Sequence, residues 1–406
     1  MHIIYIHQYF NTPKGSGGIR SYAWSRKLIT KGHKVTIISG VYDRQDITFK
    51  KNDSHVKTID IDGISIQFIN ESYADKLNLF QRIIVFRRFA NRAYHEIIAT
   101  KPDLIFATST PLTVGLPAKK AAKKFDVPFV FEVRDLWPEI IFAMGAMRNP
   151  LTRWYLTNME HSIYKAAKHI IALSPGMKEG ICKTGYPRQN VTVIPNCCDL
   201  DLFQPKPQDA LEPNYGKPSD IRFIFTGAHG IANGLDAVLD GVAELKKRNF
   251  KGVHFVFIGD GSQKLRLMQR TRDESLEDYI TWVDPIKKME LADLLPRMDV
   301  GMMILANIPE FYYGTSPNKF FDYIASGLPV LNNYPGWLAD IIQKNSCGLV
   351  AKPDDPADFA DKVEMLCQSS DMRKQMSIAS RKLAESEFSR DVLGDKFVAT
   401  LEAAVK

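Results

Sequence analysis

The sequence is most informative first for what it has little of. Its 406 residues hold five cysteines, Cys182, Cys197, Cys198, Cys347 and Cys367, an odd number with no C-x-x-C pair. A disulfide framework and a zinc site are therefore not expected; the pattern reads as reduced cytosolic thiols. No apolar run approaches the ~18 residues of a membrane-spanning helix. The opening Met1-His2-Ile3-Ile4-Tyr5-Ile6 reads as a short strand and not as a secretory leader. No Asp-x-Asp pair stands out as a metal site. The expectation is a soluble or membrane-peripheral protein with no metal, no cofactor and no nucleic-acid partner.

What is present is enough for two cores. Hydrophobic residues make up 45% of the chain, and a chain of this length divides naturally into two domains. The net charge of +7 is unevenly spread, with 28 Lys and Arg against 16 Asp and Glu in residues 1–200 and 25 against 30 in the remainder. A basic front half expects an anionic partner such as a phosphate, a lipid-linked pyrophosphate or a membrane surface.

Two stretches restart the same pattern. Residues 3–40 read as strand, glycine loop, helix, strand, with Gly17-Gly18 just before the helix; residues 222–245 repeat it around Gly227-Ala228-His229-Gly230-Ile231-Ala232-Asn233-Gly234. Glycines before a helix let backbone N–H groups approach a phosphate, although most glycine pairs are simply turns. Between the two openings, Pro205-Lys206-Pro207 through Pro213-Asn214-Tyr215-Gly216-Lys217-Pro218 is proline-rich, polar and without periodicity. The domains expected are thus 1–204, a linker 205–218, and 219–388, followed by a terminal helix in 389–406.

The first half carries two basic patches. Leu77 to Thr100 reads as an amphipathic helix in which Arg82, Arg87, Arg88 and Arg92 interrupt Phe80, Ile83, Ile84, Phe86, Phe89 and Tyr94. Such helices either pack one face on a sheet, the better default here, or lie on anionic lipid. Lys119, Lys120, Lys123 and Lys124 form the second patch. Strand 128–132 runs into Val133-Arg134-Asp135-Leu136-Trp137-Pro138-Glu139, placing charges where open α/β sheets bind ligands. A plain ion pair between Arg134 and Asp135 is the structural alternative. The functional reading puts Asp135 and Glu139 on the reacting groups of a ligand and Arg134 on phosphate.

The stretch that organises the second half is Ser316-Pro317-Asn318-Lys319-Phe320-Phe321-Asp322-Tyr323-Ile324-Ala325-Ser326-Gly327-Leu328-Pro329-Val330. It reads as a short helix opened by Ser-Pro and closed by Gly327, leading into an extended run. A helix start with free N–H groups and a lysine suits phosphate, and the carboxylate of Asp322 suits paired ribose hydroxyls. An amphipathic helix with an ordinary Lys319–Asp322 pair is the plain alternative.

This stretch resembles the nucleotide-sugar signature of retaining family 4 glycosyltransferases, in the Ser-Pro-x-Lys-x-x-Asp/Glu-Tyr form of bacterial polysaccharide enzymes such as the L-fucosamine transferases of O-antigen assembly. Asp322 stands at the second acidic position of that signature. Gly314 stands at the first, with Glu310 four residues before it. Arg134 replaces the family's histidine, Cys197 replaces a glycine in Pro195-Asn196-Cys197-Cys198-Asp199, and Ala228 and Asn233 replace an arginine and a lysine of the second glycine loop. The resemblance implies the GT-B architecture: two Rossmann-like, doubly wound parallel-sheet α/β domains facing across a cleft, the last helix crossing back to the first. It implies transfer of a sugar, with retention, from a UDP-sugar substrate to a polyprenyl-pyrophosphate-linked glycan at the cytoplasmic face of the inner membrane. It places Gly17, Gly18, Arg134, His229, Asn233, Gly259, Val283, Ser316, Asn318, Lys319 and Asp322 on the donor, and Asp135, Glu139 and Lys319 in catalysis. The two basic patches become candidates for docking acceptor and membrane. A sugar-nucleotide epimerase of the same fold and a non-catalytic nucleotide-sugar-binding subunit are the competing readings.

Overall fold

The computed structural model describes residues 1–13, 18–42, 55–73, 79–143, 145, 147–205 and 215–406. Gly17 and most of the expected linker lie outside the described residues. The chain divides into two compact units: residues 1–195, 314–316 and 393–406 form one, and 196–313 with 317–392 the other. Residues 196–204, placed with the first domain by the sequence reading, group with the second unit.

In the first unit the strands are β1 (His2–Ile6), β2 (Lys34–Tyr42), β3 (Val56–Ile61), β4 (Ile64–Tyr73), β5 (Leu104–Thr108), β6 (Phe129–Val133), β7 (His169–Ala172) and β8 (Val191–Val193). They form one eight-stranded sheet in the order β3-β4-β2-β1-β5-β6-β7-β8. All pairs are parallel except the β3–β4 hairpin, whose turn residues Asp62 and Gly63 both have positive φ, 54° and 78°, as tight hairpin turns require. The helices are α1 (Arg20–Thr30), α2 (Leu79–Ile98), α3 (Gly115–Phe125), α4 (Glu139–Ala143), α5 (Pro150–Ala166) and α6 (Pro175–Lys183). β1, β5 and β6 are buried along nearly their whole length, as expected of parallel strands covered on both faces. α2 does what the default reading asks: Phe89, Ala93 and Ile97, four apart, sit in the core beneath it.

The second unit has β9 (Ile221–Thr226), β10 (Val253–Ile258), β11 (Ile280–Val283), β12 (Val300–Met303), β13 (Val330–Asn332) and β14 (Gly348–Val350), all parallel, in the order β11-β10-β9-β12-β13-β14. Its helices are α7 (Asp236–Lys247), α8 (Lys264–Asp273), α9 (Lys288–Leu294), α10 (Pro309–Tyr313), α11 (Asn318–Ala325), α12 (Trp337–Lys344), α13 (Pro356–Gln368), α14 (Ser370–Ser386) and the first residues of α15 (Arg390–Val405). From Leu393 onward α15 belongs to the first unit, where Phe397 stacks on Trp24 at 5.4 Å and meets Phe106 edge-on at 5.1 Å.

Strand order locates the place where a ligand can sit. The winding of the first sheet reverses between β1 and β5, and that of the second between β9 and β12, opening a crevice at the strands' carboxyl ends.

Candidate active site

At the reversal of the second sheet, β9 ends in Thr226 and the chain turns through Gly227 at φ 122°. α11 is fixed above this turn by Tyr323, whose hydroxyl accepts from Thr226 N–H at 2.9 Å and lies 3.1 Å from its Oγ1. Tyr323 packs flat on Gly301 of β12, where a Cβ would come within 2.5 Å of its ring. The anchored helix delivers Lys319 to the turn: its Nζ stands 3.5 Å from the Phe225 ring centroid, and a Cβ on Gly227 would lie 3.4 Å from that nitrogen. Among the described residues the ammonium has no hydrogen-bond or ionic partner. Burial without a counter-charge holds the amine down at about 7. The aromatic face below it is the one group that favours its charged form.

Asp322, one turn on, faces away from Lys319. Its carboxylate lies 3.7 Å from Lys288 of α9, is almost fully buried, and is pushed up by that burial while Lys288 pulls it down. The plain Lys319–Asp322 pair weighed in the sequence is not formed. Asn318 and Ser316 precede Lys319 at the helix start, Asn318 exposed and Ser316 half-buried. The N-terminus of α11 thus presents its backbone N–H groups beside a lone cation.

The loop 227–234 is sewn to the loop after β10. Gly227 N–H donates to Ile258, His229 N–H to Asp260 and Gln263 N–H to His229, at 2.8–2.9 Å. A Cβ on Gly259 would fall 1.9 Å from the Gly227 carbonyl, and one on Gly261 2.5 Å from the His229 carbonyl, so glycine is required where these backbones cross. Lys264, which sequence reasoning missed, ties the next strand in: its Nζ donates to the Gly259 carbonyl (2.9 Å), the Val283 carbonyl (3.2 Å) and Asp284 (2.6 Å). A lysine at the start of a helix carries no sequence signal for that position. Val283 is thereby held by its main chain, accepting from Gly259 N–H as well. Asn233 ends a short 3₁₀ turn, and Gly234 beside it leaves no room for a Cβ against Ala306, after β12.

His229 is the unexpected member. Its side chain is fully buried among Phe225, Phe257 and Trp282, and neither ring nitrogen has a partner among the described residues. Burial, with Lys264 and Lys319 nearby, holds it at about 4, so the ring is neutral. What the loop uses from this residue is its backbone.

The reversal of the first sheet gathers a second group. After β1, His7 is buried and neutral, pushed well down by burial and by Arg134. An Arg134 N–H donates to its Nε2 (3.3 Å), so Nδ1 carries the proton and donates to Ser21 Oγ of α1 (2.8 Å). Arg134 N–H in turn donates to Ser109 Oγ after β5. Asp135 accepts from Thr110 Oγ1 at 3.2 Å and is pushed up by burial against the pull of Arg134. His7 was missed because nothing local marks it; β1 simply ends there. Glu139 is exposed at the first position of α4 and is not part of this group. Its charge is felt instead by Glu160 of α5, which burial raises to about 7. Gly18 is exposed just ahead of α1.

The two basic patches divide between structure and surface. Arg92 pairs with Glu71 at 2.9 Å, Lys119 donates to Ser162, and Lys120 stands over the Tyr94 ring. Arg82 is half-buried, and Arg87, Arg88, Lys123 and Lys124 are exposed. No group of three or more potential metal ligands occurs among the described residues.

Residues 17–202 match the family model of "Glycosyltransferase Family 4" and residues 220–369 that of "Glycosyl transferases group 1". The chain is 24% identical over 323 residues to the sulfoquinovosyl transferase SQD2 of Arabidopsis thaliana, covering 75% of this chain and 58% of that protein. It is 22% identical over 343 residues to the UDP-N-acetylglucosamine–N-acetylmuramyl-(pentapeptide) pyrophosphoryl-undecaprenol N-acetylglucosamine transferase of Lactobacillus gasseri, covering 81% of each. Among solved structures it is similar to the sucrose-phosphate synthase of Thermosynechococcus elongatus (TM-score 0.76, 16% identity, 99% of each chain). It is also similar to Anabaena HepE in complex with UDP (TM-score 0.70, 14% identity, 99% of this chain and 100% of that one). At these identities the structural likeness speaks for fold, and the fold is GT-B.

Proposed function

Since the chain joins a Glycosyltransferase Family 4 domain to a Glycosyl transferases group 1 domain, we propose that it is a retaining, nucleotide-sugar-dependent glycosyltransferase. The donor is a UDP-sugar, an N-acetylated deoxyhexosamine such as N-acetyl-L-fucosamine. The acceptor is a polyprenyl-pyrophosphate-linked glycan of bacterial surface polysaccharide assembly, met by a protein peripheral to the cytoplasmic face of the inner membrane. One observation carries the reading: the ammonium of Lys319, without a hydrogen-bond or ionic partner among the described residues, lies on the face of Phe225 at the sheet's reversal and beside the N-terminus of α11. A half-buried cation left without a partner among the described residues fits a site whose anion arrives with the substrate. Support for UDP comes from HepE, which was solved in complex with UDP, and for a lipid-linked acceptor from the name of the Lactobacillus relative. No helix among the described residues is long and apolar enough to cross a membrane, which accords with peripheral attachment.

On this reading Lys319 and the α11 N–H groups hold the departing diphosphate, and Asp322 takes the ribose hydroxyls. The glycine crossing at 227, 259 and 261 lets backbone approach the nucleotide. Asp135 faces the acceptor hydroxyl or the sugar, Glu139 lies nearer the acceptor side, and Arg134, oriented by His7, adds charge towards phosphate. The acceptor oxygen bonds to the anomeric carbon on the face the diphosphate leaves, and its proton passes to a departing phosphate oxygen. Catalysis is then positioning and charge stabilisation. The test is UDP release with a panel of UDP-sugars, with and without a lipid-pyrophosphate-linked acceptor. Release that needs both the acceptor and one donor is expected. Donor interconversion without acceptor, or UDP binding without turnover, would instead indicate an epimerase or a binding subunit.

A further inference from the structure

A surface helix normally buries one stripe along its whole length. α5 does so only in its second half, where Ile163 and Tyr164 enter the core. At its start, five consecutive residues, Leu151 to Tyr155, are all exposed, so the first turn stands clear of the unit around its circumference. That turn is finished without help from the body: Asn149 caps it, its side chain accepting from the N–H groups of Leu151 (2.9 Å) and Thr152 (3.4 Å), and Pro150 opens it. Its side chains are those a protein rarely leaves in water together. Leu151, Trp154 and Tyr155 are 76%, 67% and 58% exposed, and at spacings of three and four they share one side of the helix.

The charges next to them in sequence are of one sign. Arg148 and Arg153 flank the three, Arg153 lying over the Phe142 ring at 4.4 Å, and no Asp or Glu occurs from Ile140 to Met159. α3 packs beside α5, with Lys119 bonded to Ser162 and the exposed Lys123 and Lys124 in the same helix layer. We propose that the N-terminal turn of α5 is an interfacial anchor: Leu151, Trp154 and Tyr155 enter the headgroup layer of an anionic membrane while Arg148 and Arg153 take its phosphates. Tryptophan and tyrosine favour that layer because an apolar ring ends in a polar N–H or O–H, and arginine can lay its stem along lipid with its head at the phosphate. Charge selects lipid over a second copy of this chain, which would set arginine against arginine around the apolar centre. The proposal rests on the membrane reading above, but its anchor residues on α5 are ones that reading did not use.

The test is co-sedimentation of the full chain with phosphatidylcholine vesicles lacking or containing phosphatidylglycerol. The triple variant Leu151→Ser/Trp154→Ser/Tyr155→Ser is compared with Arg82→Ser/Arg87→Ser/Arg88→Ser on α2. Wild type is expected on the anionic vesicles, and the α5 variant is expected to lose about tenfold in bound fraction, with UDP affinity unchanged. Quenching of tryptophan fluorescence by brominated lipid, present in wild type and lost in Trp154→Phe, is expected even if the triple variant folds poorly. Loss with the α2 variant alone would overturn the anchor and leave the membrane reading standing. No vesicle binding by wild type would overturn both. A dimer in light scattering that Trp154→Ser dissolves would assign the surface to self-association and overturn the anchor.

Discussion

Arg20 of the first unit and Lys319 of the second are both cations near the start of a helix, and the two are treated in opposite ways. Arg20 opens α1 and is spoken for in every direction. Its guanidinium donates twice to Glu132 Oε1 (2.8 and 3.0 Å), and to the carbonyls of Ile194 (2.8 Å) and Pro195 (2.6 Å), while Thr108 closes the other oxygen of Glu132. Lys319, one residue into α11, has among the described residues only the face of Phe225. A buried charge whose bonds are all made by the chain is architecture: it joins α1, β6 and the end of the first unit. A half-buried charge to which the described residues make no such bond can take a ligand. Charge and position in a helix are nearly the same, so the difference in role lies in the partners.

That contrast can be broken from either side. The largest effect is expected at the satisfied pair. Glu132→Ala leaves Arg20 buried and uncompensated and should cost about 3–5 kcal/mol of stability, read as a lower urea midpoint with unchanged slope. Replacing both together, Arg20→Met with Glu132→Leu, should recover most of it; a double variant as unstable as the single would show that the pair is not self-contained. At the unsatisfied cation the expectation is reversed. Lys319→Ala should lower turnover by about 10²–10³-fold, the usual cost of one transition-state donor, with no loss of thermal stability. Equal loss of both would end its assignment to the leaving group.

The same lysine should couple binding to pH. In the folded, ligand-free protein its amine titrates near 7, against about 10.4 when solvated. The folded pKa is lowered, so between those values the unfolded chain holds the extra proton, and this group's contribution to stability rises with pH through that window. Diphosphate favours the charged amine, so above pH 7 donor binding should take up a proton and weaken by up to tenfold per pH unit. Calorimetry in buffers of different ionisation enthalpy reads this directly, and Lys319→Met should abolish it. The smallest effect is expected at His229. Replacing its ring with phenylalanine removes two unsatisfied buried nitrogens and should raise stability by about 1 kcal/mol. A fall would mean that a partner for this ring exists in solution.

Much of this was legible before any coordinates. The alternation of buried strands and helices, the second glycine opening and the helix at 318–325 all follow from local pattern, because glycine, proline and apolar period act over a few residues. The β3–β4 hairpin is legible too, since Asp62-Gly63 between alternating residues is a strong turn signal. Lys264, His7 and the Arg20–Glu132 pair were not legible. Each matters through a partner 20 or more residues distant or through main-chain atoms, neither of which leaves a trace in its own neighbourhood. Lys319 could be picked out, but not its solitude. The sequence offered Asp322 as its partner, and the fold turns that carboxylate towards Lys288.

The crossing of glycines at 227, 259 and 261 has a practical consequence for anyone wishing to retune the enzyme. Saturation libraries usually begin at the loops around a bound substrate, yet at 259 and 261 even a methyl group would collide with main chain. Variation there would be spent on misfolded protein. The positions free to vary are those with exposed side chains beside the crossing, such as Ile231 and Asn318, and on the proposed donor-site reading a search for altered donor choice would start with them.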